Sequence, residues 1–233
     1  DKFVALTIEK GFADLESLSG IPGTVGGAPI QNIGAYGHEA SETIARVRVY
    51  DRKAKEVKTF AAADCKFGYR ESIFKEEKDR YVVLTVTFQL RKGEQSLPIT
   101  YAELAKHLGL NVGERASVKE VRSAVLELRG RKGMLLDSSD NQIMSAGSFF
   151  VNPIISKEDA DKLPADAPRW PQADGKVKTS AAWLMEHSGV AKGEKLAGAQ
   201  ISERHVLALT NSGTAKAEDI VQLAKASQKR VME

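Results

Sequence analysis

Apolar positions recur along this chain with two different periods, and the switches between them mark out its elements. Phe3, Val4, Leu6, Thr7 and Ile8 give residues 1–10 a mixed helical face, with Gly11 placed as a C-cap. Residues 12–19 read as a short helix, and Ala40 to Ile44 as a further helical turn. Strict alternation sets in at Arg46–Asp51 and predicts a strand, with Glu56–Phe60 as its hairpin partner. Ala61–Cys65 reads as a short helix. Tyr81–Leu90 is the strongest strand, rich in β-branched and aromatic residues, and its unbroken centre predicts burial on both faces. A helix is expected over Thr100–Leu108. Ser117 and Glu120 form a capping box that opens a helix bearing Val121, Val125 and Leu128.

The second half alternates shorter elements. Within residues 133–144, Asp137–Asn141 reads as a loop, and Ser145–Pro153 as a small-residue turn running into an apolar strand. Ser156 and Asp159 suggest a second capped helix, followed by a proline-rich loop over 164–171. A helix over 179–187 closes at Gly189. Strands are expected at 197–201 and 206–210, and a strongly periodic helix at 216–233, with Ile220, Leu223, Ala224 and Val231 on one side. The pattern is α+β, with a domain junction near residue 112.

One stretch fits neither period. Gly20–Gly37 holds six glycines and two prolines and no charged residue. Each glycine in a helix interior costs about 0.8–1 kcal/mol relative to alanine, so this is no helix. It is also too apolar for a solvent linker. Two readings remain: a buried turn where backbone packs on backbone, or a cradle whose main-chain N–H groups approach a flat or phosphorylated ligand.

Composition narrows the chemistry without deciding it. The 233 residues suit one large domain or two small ones. The net charge of +3 and the absence of any dense Lys/Arg run do not call for nucleic acid. The single cysteine, Cys65, rules out an intrachain disulfide, and the four histidines show no metal spacing. No membrane-length apolar run or signal peptide is visible. Two candidates stand out. Arg70 sits in the aromatic and glycine-rich turn Phe67–Arg70, where it is either a stacked surface arginine or a clamp for a carboxylate or phosphate. Ser148, between Gly147 and Phe149, is either a turn hydroxyl or a proton donor or nucleophile. No histidine lies near Ser148 in sequence; one would have to arrive through the fold.

Five segments together resemble the UDP-N-acetylenolpyruvoylglucosamine reductase (MurB) family, in its type I branch. They are Ile21–Gly37, Cys65–Lys75, Thr100–Leu104, Ala146–Pro153 and Trp170–Leu184, in the family's order. The resemblance implies a cytoplasmic FAD flavoprotein of peptidoglycan biosynthesis, and so of cell-wall growth, cell shape and division. NADPH supplies hydride, and the enolpyruvyl ether of UDP-N-acetylglucosamine is reduced to UDP-N-acetylmuramate. It further implies that Arg70 stabilises the enolate and Ser148 donates the proton. Tyr36, Tyr101, Lys132, Asn152, Trp170, Lys192 and His205 are expected on the substrate. Gly23, Gly26, Gly27, Ala28, Ile30, Gly34 and Val83 are expected along the flavin. No metal and no macromolecular partner is implied.

On this resemblance, residues 1–112 form a second FAD-binding subdomain, a mixed sheet with helices, and residues 113–233 an α+β substrate domain. The family pattern includes an earlier glycine-rich subdomain and a later strand bearing a catalytic glutamate. The chain is read as lacking both, and as having negligible turnover by itself. Val151 stands where lysine is common, and Trp170 where tyrosine is frequent. Two rivals share these residues: another flavoenzyme of the same fold, and a non-catalytic nucleotide-sugar binder.

Overall fold

The computed structural model describes residues 1–136, 145–211 and 213–233. The expected loop at Asp137–Asn141 lies outside the described residues. The chain divides into two units, Asp1–Gly130 and Arg131–Glu233.

The first unit begins with α1 (Lys2–Glu9), which buries Val4, Thr7 and Ile8. Residues 12–19 do not form the expected α-helix: Phe12 bridges to Lys92, and only Glu16–Leu18 makes a 3-10 turn. A second 3-10 turn, Val25–Gly27, lies inside the glycine stretch, and that stretch ends in a two-residue ladder of β1 (Gly34–Ala35) with β2 (His38–Glu39). The alternating segment forms β3 (Ile44–Asp51), paired in antiparallel register with β4 (Glu56–Ala61), as the pattern predicts. β5 (Tyr81–Phe88) joins the other side of β3, giving the order β4-β3-β5.

The sheet is covered on one face only, so β5 is not buried on both faces. It is an edge strand of a three-stranded sheet with one covered face. Tyr81, Val83, Val86 and Phe88 pack on the core, while Val82 and Leu84 are 47% and 45% exposed. The register shifts between Val49–Val83 and Arg48–Thr85, which leaves Leu84 as a bulge. The extra residue is what allows Val83 and Val86, three apart, to face the same side. In the centre, Val47 and Val49 are fully buried. The short α2 (Ile73–Glu76) adds Phe74, whose ring meets Phe60 and Tyr81 edge-on.

The rest of the first unit is helical. α3 (Ala102–His107) and α4 (Val118–Arg131) share a cluster in which Val121, Val125 and Leu128 pack with Ile99, Leu104 and Tyr36. Burying three such side chains is worth about 1.5–3 kcal/mol each. The capping box is present: Glu120 N–H donates to Ser117 Oγ, and Ser117 N–H to the Glu120 carboxylate. Because α4 packs on this cluster, the units divide at Gly130 rather than near residue 112.

The second unit holds two small sheets. β6 (Ile154–Ile155), β8 (Val177–Thr179) and β7 (Arg169–Pro171) make one, in the order β6-β8-β7. The apolar run at 149–153 is therefore not a strand, and part of the proline-rich loop is. α5 (Lys157–Lys162) starts at the expected Ser156 cap, and α6 (Ala181–His187) at Ser180. The other sheet is β11 (Leu209–Asn211), β10 (Ala199–Ile201) and β9 (Lys195–Leu196), covered by α7 (Ala217–Met232) through Leu223 and Ala224. The fold is α+β as expected, but every strand pair among the described residues is antiparallel rather than mixed.

Candidate active site

In the first unit the candidate Arg70 is held against the end of the glycine stretch. Gly68 and Glu71 exchange backbone hydrogen bonds, so Arg70 occupies the third position of a tight turn. Arg70 has φ 58° there, in the left-handed region that favours glycine. A non-glycine residue there carries strain of order 1–3 kcal/mol, which surrounding contacts must offset. They do: Lys75 Nζ donates to the Arg70 carbonyl at 2.7 Å, and the guanidinium is clamped on its own account. Its Nη2 donates to Gly34 O at 2.7 Å, and Nη1 lies 3.4 Å from Asn32 O and from the Glu39 carboxylate.

Two residues that sequence reasoning passed over hold this clamp. Asn32 is almost fully buried; its Nδ2 donates to Glu39 Oε2 at 2.7 Å and to Gly68 O at 3.0 Å, and its Oδ1 accepts from Ser41 N–H at 2.9 Å. A single amide thus fixes the carboxylate that faces Arg70 and the turn that carries it. Gly34 is glycine for the same reason. A Cβ there would lie 2.8 Å from Arg70 Nη1 and 2.8 Å from His38 O. The guanidinium therefore uses the space a side chain would fill.

The residues expected along the flavin lie in the neighbouring turn and on β5, some exposed and some buried. Thr24 caps the 3-10 turn, accepting from Gly27 N–H. Gly23, Val25 and Gly27 are exposed, Ala28 is buried, and Ile30 packs its side chain on the core while its carbonyl accepts from Ser72 Oγ. Val83 supports the turn from beneath, with Cγ1 3.8 Å from where a Gly26 Cβ would stand. Tyr36 and Tyr101 meet edge-to-face at 5.4 Å between ring centroids, Tyr36 buried and Tyr101 exposed. Burial pushes the Tyr36 hydroxyl up to about 12, with the Arg129 charge opposing it. Arg129, on the apolar face of α4, is itself held below its ordinary value by burial. An arginine aligned with Val121, Val125 and Leu128 was the available signal for it.

In the second unit, Ser148 pairs with Ala208 across an isolated antiparallel bridge, and Phe149 N–H donates to Leu207 O at 2.7 Å. His205 does arrive through the fold: its Nε2 stands 3.5 Å from Ser148 Oγ. Asn152 uses its side-chain oxygen to accept from Ala181 N–H at the start of α6. Trp170 is 43% exposed and sits opposite Lys178 in the ladder, whose Nζ is 5.9 Å from the indole centroid. Lys192 lies 3.9 Å from Glu186, and Lys132 follows the end of α4. Phe149, Val151 and Ile154 are exposed around this sheet.

Comparison with known proteins gives this arrangement its relatives. The family model described as UDP-N-acetylenolpyruvoylglucosamine reductase, C-terminal domain, matches residues 138–233, and one described as FAD binding domain matches residues 2–59. UDP-N-acetylenolpyruvoylglucosamine reductases from Cutibacterium acnes and Thermobifida fusca are 53% and 48% identical, each over 97% of this chain. The chain belongs to the MurB reductase family. It spans 60% and 66% of the length of those two relatives. The crystal structure of the Thermus caldophilus MurB matches with a TM-score of 0.64 over 98% of this chain and 64% of its own; at 24% identity this speaks to the fold.

The glycine stretch, within the FAD-binding match over residues 2–59, suits a flavin on structural grounds. Residues 22–27 present an uncharged surface, and a Cβ added at Gly23 would meet nothing within 4 Å. Such a surface accepts a planar or phosphorylated group without a side chain in the way. No helix among the described residues is long and apolar enough to cross a membrane, and no cluster there could hold a metal ion.

Proposed function

We propose that the protein to which this chain belongs is a cytoplasmic, FAD-dependent oxidoreductase that uses NADPH to reduce UDP-N-acetylglucosamine enolpyruvate to UDP-N-acetylmuramate. The observation that carries the reading is the clamped Arg70 guanidinium, in a chain about half identical to proteins named for this reaction. FAD, when bound, supplies hydride taken from NADPH to the vinyl carbon distal to the carboxylate.

The chain's own residues do the rest. Gly23, Gly26, Gly27, Ala28, Ile30, Gly34 and Val83 would hold the cofactor. As hydride adds, negative charge develops on the neighbouring carbon and its carboxylate. A cation fixed beside that carboxylate stabilises the transition state more than the ground state. Arg70 suits this role because Gly34 O, Asn32 O and Glu39 fix its guanidinium before substrate arrives. Ser148 then donates its hydroxyl proton to the enolate carbon. Tyr36, Tyr101, Lys132, Asn152, Trp170, Lys192 and His205 would line the UDP-sugar. Lys178, beside the Trp170 ring, adds a cation suited to the diphosphate.

Separated half-reactions test this in the flavin-loaded, full-length protein. NADPH should bleach the flavin in both the parent and Ser148→Ala. Reoxidation by the enolpyruvyl sugar should yield the lactyl ether, seen by mass spectrometry, in the parent alone. Equal product formation by Ser148→Ala would refute the role given to Ser148. No product from the parent would refute the reading as a whole.

A further inference from the structure

A serine hydroxyl that gives up its proton is left as an alkoxide. Serine is a very weak acid, so this loss needs a nearby cation to stabilise it and a second donor to reverse it. The sequence around Ser148 supplies neither. The fold of the second unit brings an imidazole beside it.

Three contacts bring His205 there. The turn after β10 is closed by Ala208 N–H donating to His205 O at 3.0 Å and by Ser202 N–H donating to Ala208 O at 2.8 Å. Val206 and Leu207 anchor the turn in the core, at 1% and 8% exposure. Ala208 in turn bridges Ser148, and Leu207 O accepts from Phe149 N–H. The imidazole is thereby carried to the serine from 57 residues away, with Nε2 3.5 Å from Oγ. That separation is at the long end of hydrogen-bond reach, as is common for catalytic pairs before substrate binds. His205 is half-buried and Ser148 exposed, so the pair faces outward while its backbone is fixed.

We propose that His205 is the positioning and proton-supplying partner of Ser148, acting through its hydroxyl rather than primarily on the sugar. This rests on the reductase reading above. The Oγ–H bond of Ser148 breaks as the new C–H bond forms on the substrate carbon. The alkoxide takes the Nε2 proton of a protonated His205, and the neutral imidazole left behind is reprotonated by water. No oxidant or reductant beyond NADPH enters. Before transfer the same contact orients the hydroxyl; during transfer the imidazolium stabilises the developing alkoxide.

The test uses the flavin-loaded, full-length protein and two readouts. First, with neither NADPH nor UDP-sugar present, the imidazole 15N signals of His205 should shift in Ser148→Ala; unchanged signals would overturn the pairing. Second, His205→Ala should bleach with NADPH at the parent rate. Its kcat for the lactyl ether should fall at least about tenfold, the lower range of assisted proton transfer. Added imidazole should restore part of that loss, and His205→Gln, which retains a hydrogen-bond donor without a transferable proton, should not. A rise in KM at unchanged kcat would assign His205 to sugar binding and refute the proposal. If the parent makes no lactyl ether, the reductase reading falls and takes this one with it; a normal parent with an unaffected variant sinks this inference alone.

Discussion

Replacing Gly34 by alanine separates the two kinds of work done by the glycine stretch. Gly34 pairs with Glu39 in the β1–β2 ladder, and an added Cβ would meet Arg70 Nη1 at 2.8 Å, His38 O at 2.8 Å and Glu39 Cγ at 2.9 Å. The guanidinium is the far end of a long side chain and can retreat. The His38 carbonyl cannot, because His38 is paired with Ala35 in the same ladder. Forcing a methyl group into such a site costs about 1–3 kcal/mol. For a chain of this length each kcal/mol lowers the melting midpoint by roughly 2–4 °C. Gly34→Ala is therefore expected to melt about 2–12 °C below the parent in thermal unfolding followed by circular dichroism, through the same arithmetic. Gly26→Ala is the matched control. Its Cβ would find only ordinary contact, 3.8 Å from Val83 Cγ1, so its midpoint should stay near the parent's. In the full-length protein Gly26→Ala should nonetheless load FAD less well, since the methyl would occupy the surface given to the cofactor. A Gly34→Ala protein melting with the parent would refute the claim that the β1–β2 ladder leaves no room for a side chain at this position.

Two further outcomes follow from the same unit. Asn32→Ala removes three hydrogen bonds from a buried site and should cost about 2–4 kcal/mol, summing about 1 kcal/mol for each and a penalty for the partners left bare; urea titration measures it, and a loss below half a kcal/mol would contradict the network. His38 offers a pH dependence. Its Nδ1 faces Glu42 Oε2 at 2.8 Å and its Nε2 faces Pro98 O at 3.2 Å, both acceptors, so only the imidazolium satisfies both. The hydrogen bond to Glu42 leads in raising its affinity for a proton, against burial. The stability this gives is present below the ordinary histidine value near 6.5 and is lost as pH rises through the higher folded value. Melting midpoints from pH 5.5 to 8.5 should fall over that window in the parent and less in His38→Gln.

Some of this architecture was written locally and some was not. β3 and β4 alternate over six or more residues, and α7 keeps its period for sixteen, so both were legible. β6, β7 and β8 are two or three residues long, too short for any period to register. The one-sided exposure of β5 depends on which face of the sheet is covered and on the bulge at Leu84, properties of packing and pairing rather than of the strand itself. Arg70 announced itself through its aromatic, glycine-rich turn. Asn32 and Glu39 did not, because what gives them meaning is a turn 36 and 31 residues away. His205 is expected as a sugar contact by resemblance, while its approach to Ser148 is made by the turn after β10 and the bridge at Ala208.

The clamp around Arg70 also has a bearing on how the first unit folds. Its bonds join residues 30–34 to residues 68–72 across separations of 36 to 42 residues. Closing so long a segment from an open chain carries an entropy cost that grows with the logarithm of its length. The β3–β4 hairpin lies within that segment, and its own closure spans only the few residues between Asp51 and Glu56. Once the hairpin zips, Arg46 and Ala61 are neighbours, and the distance left for the chain to search shrinks to two short arms. The hairpin is thus the chaperone of the arginine pocket: a local, fast-forming element whose presence decides how quickly distant residues can find one another.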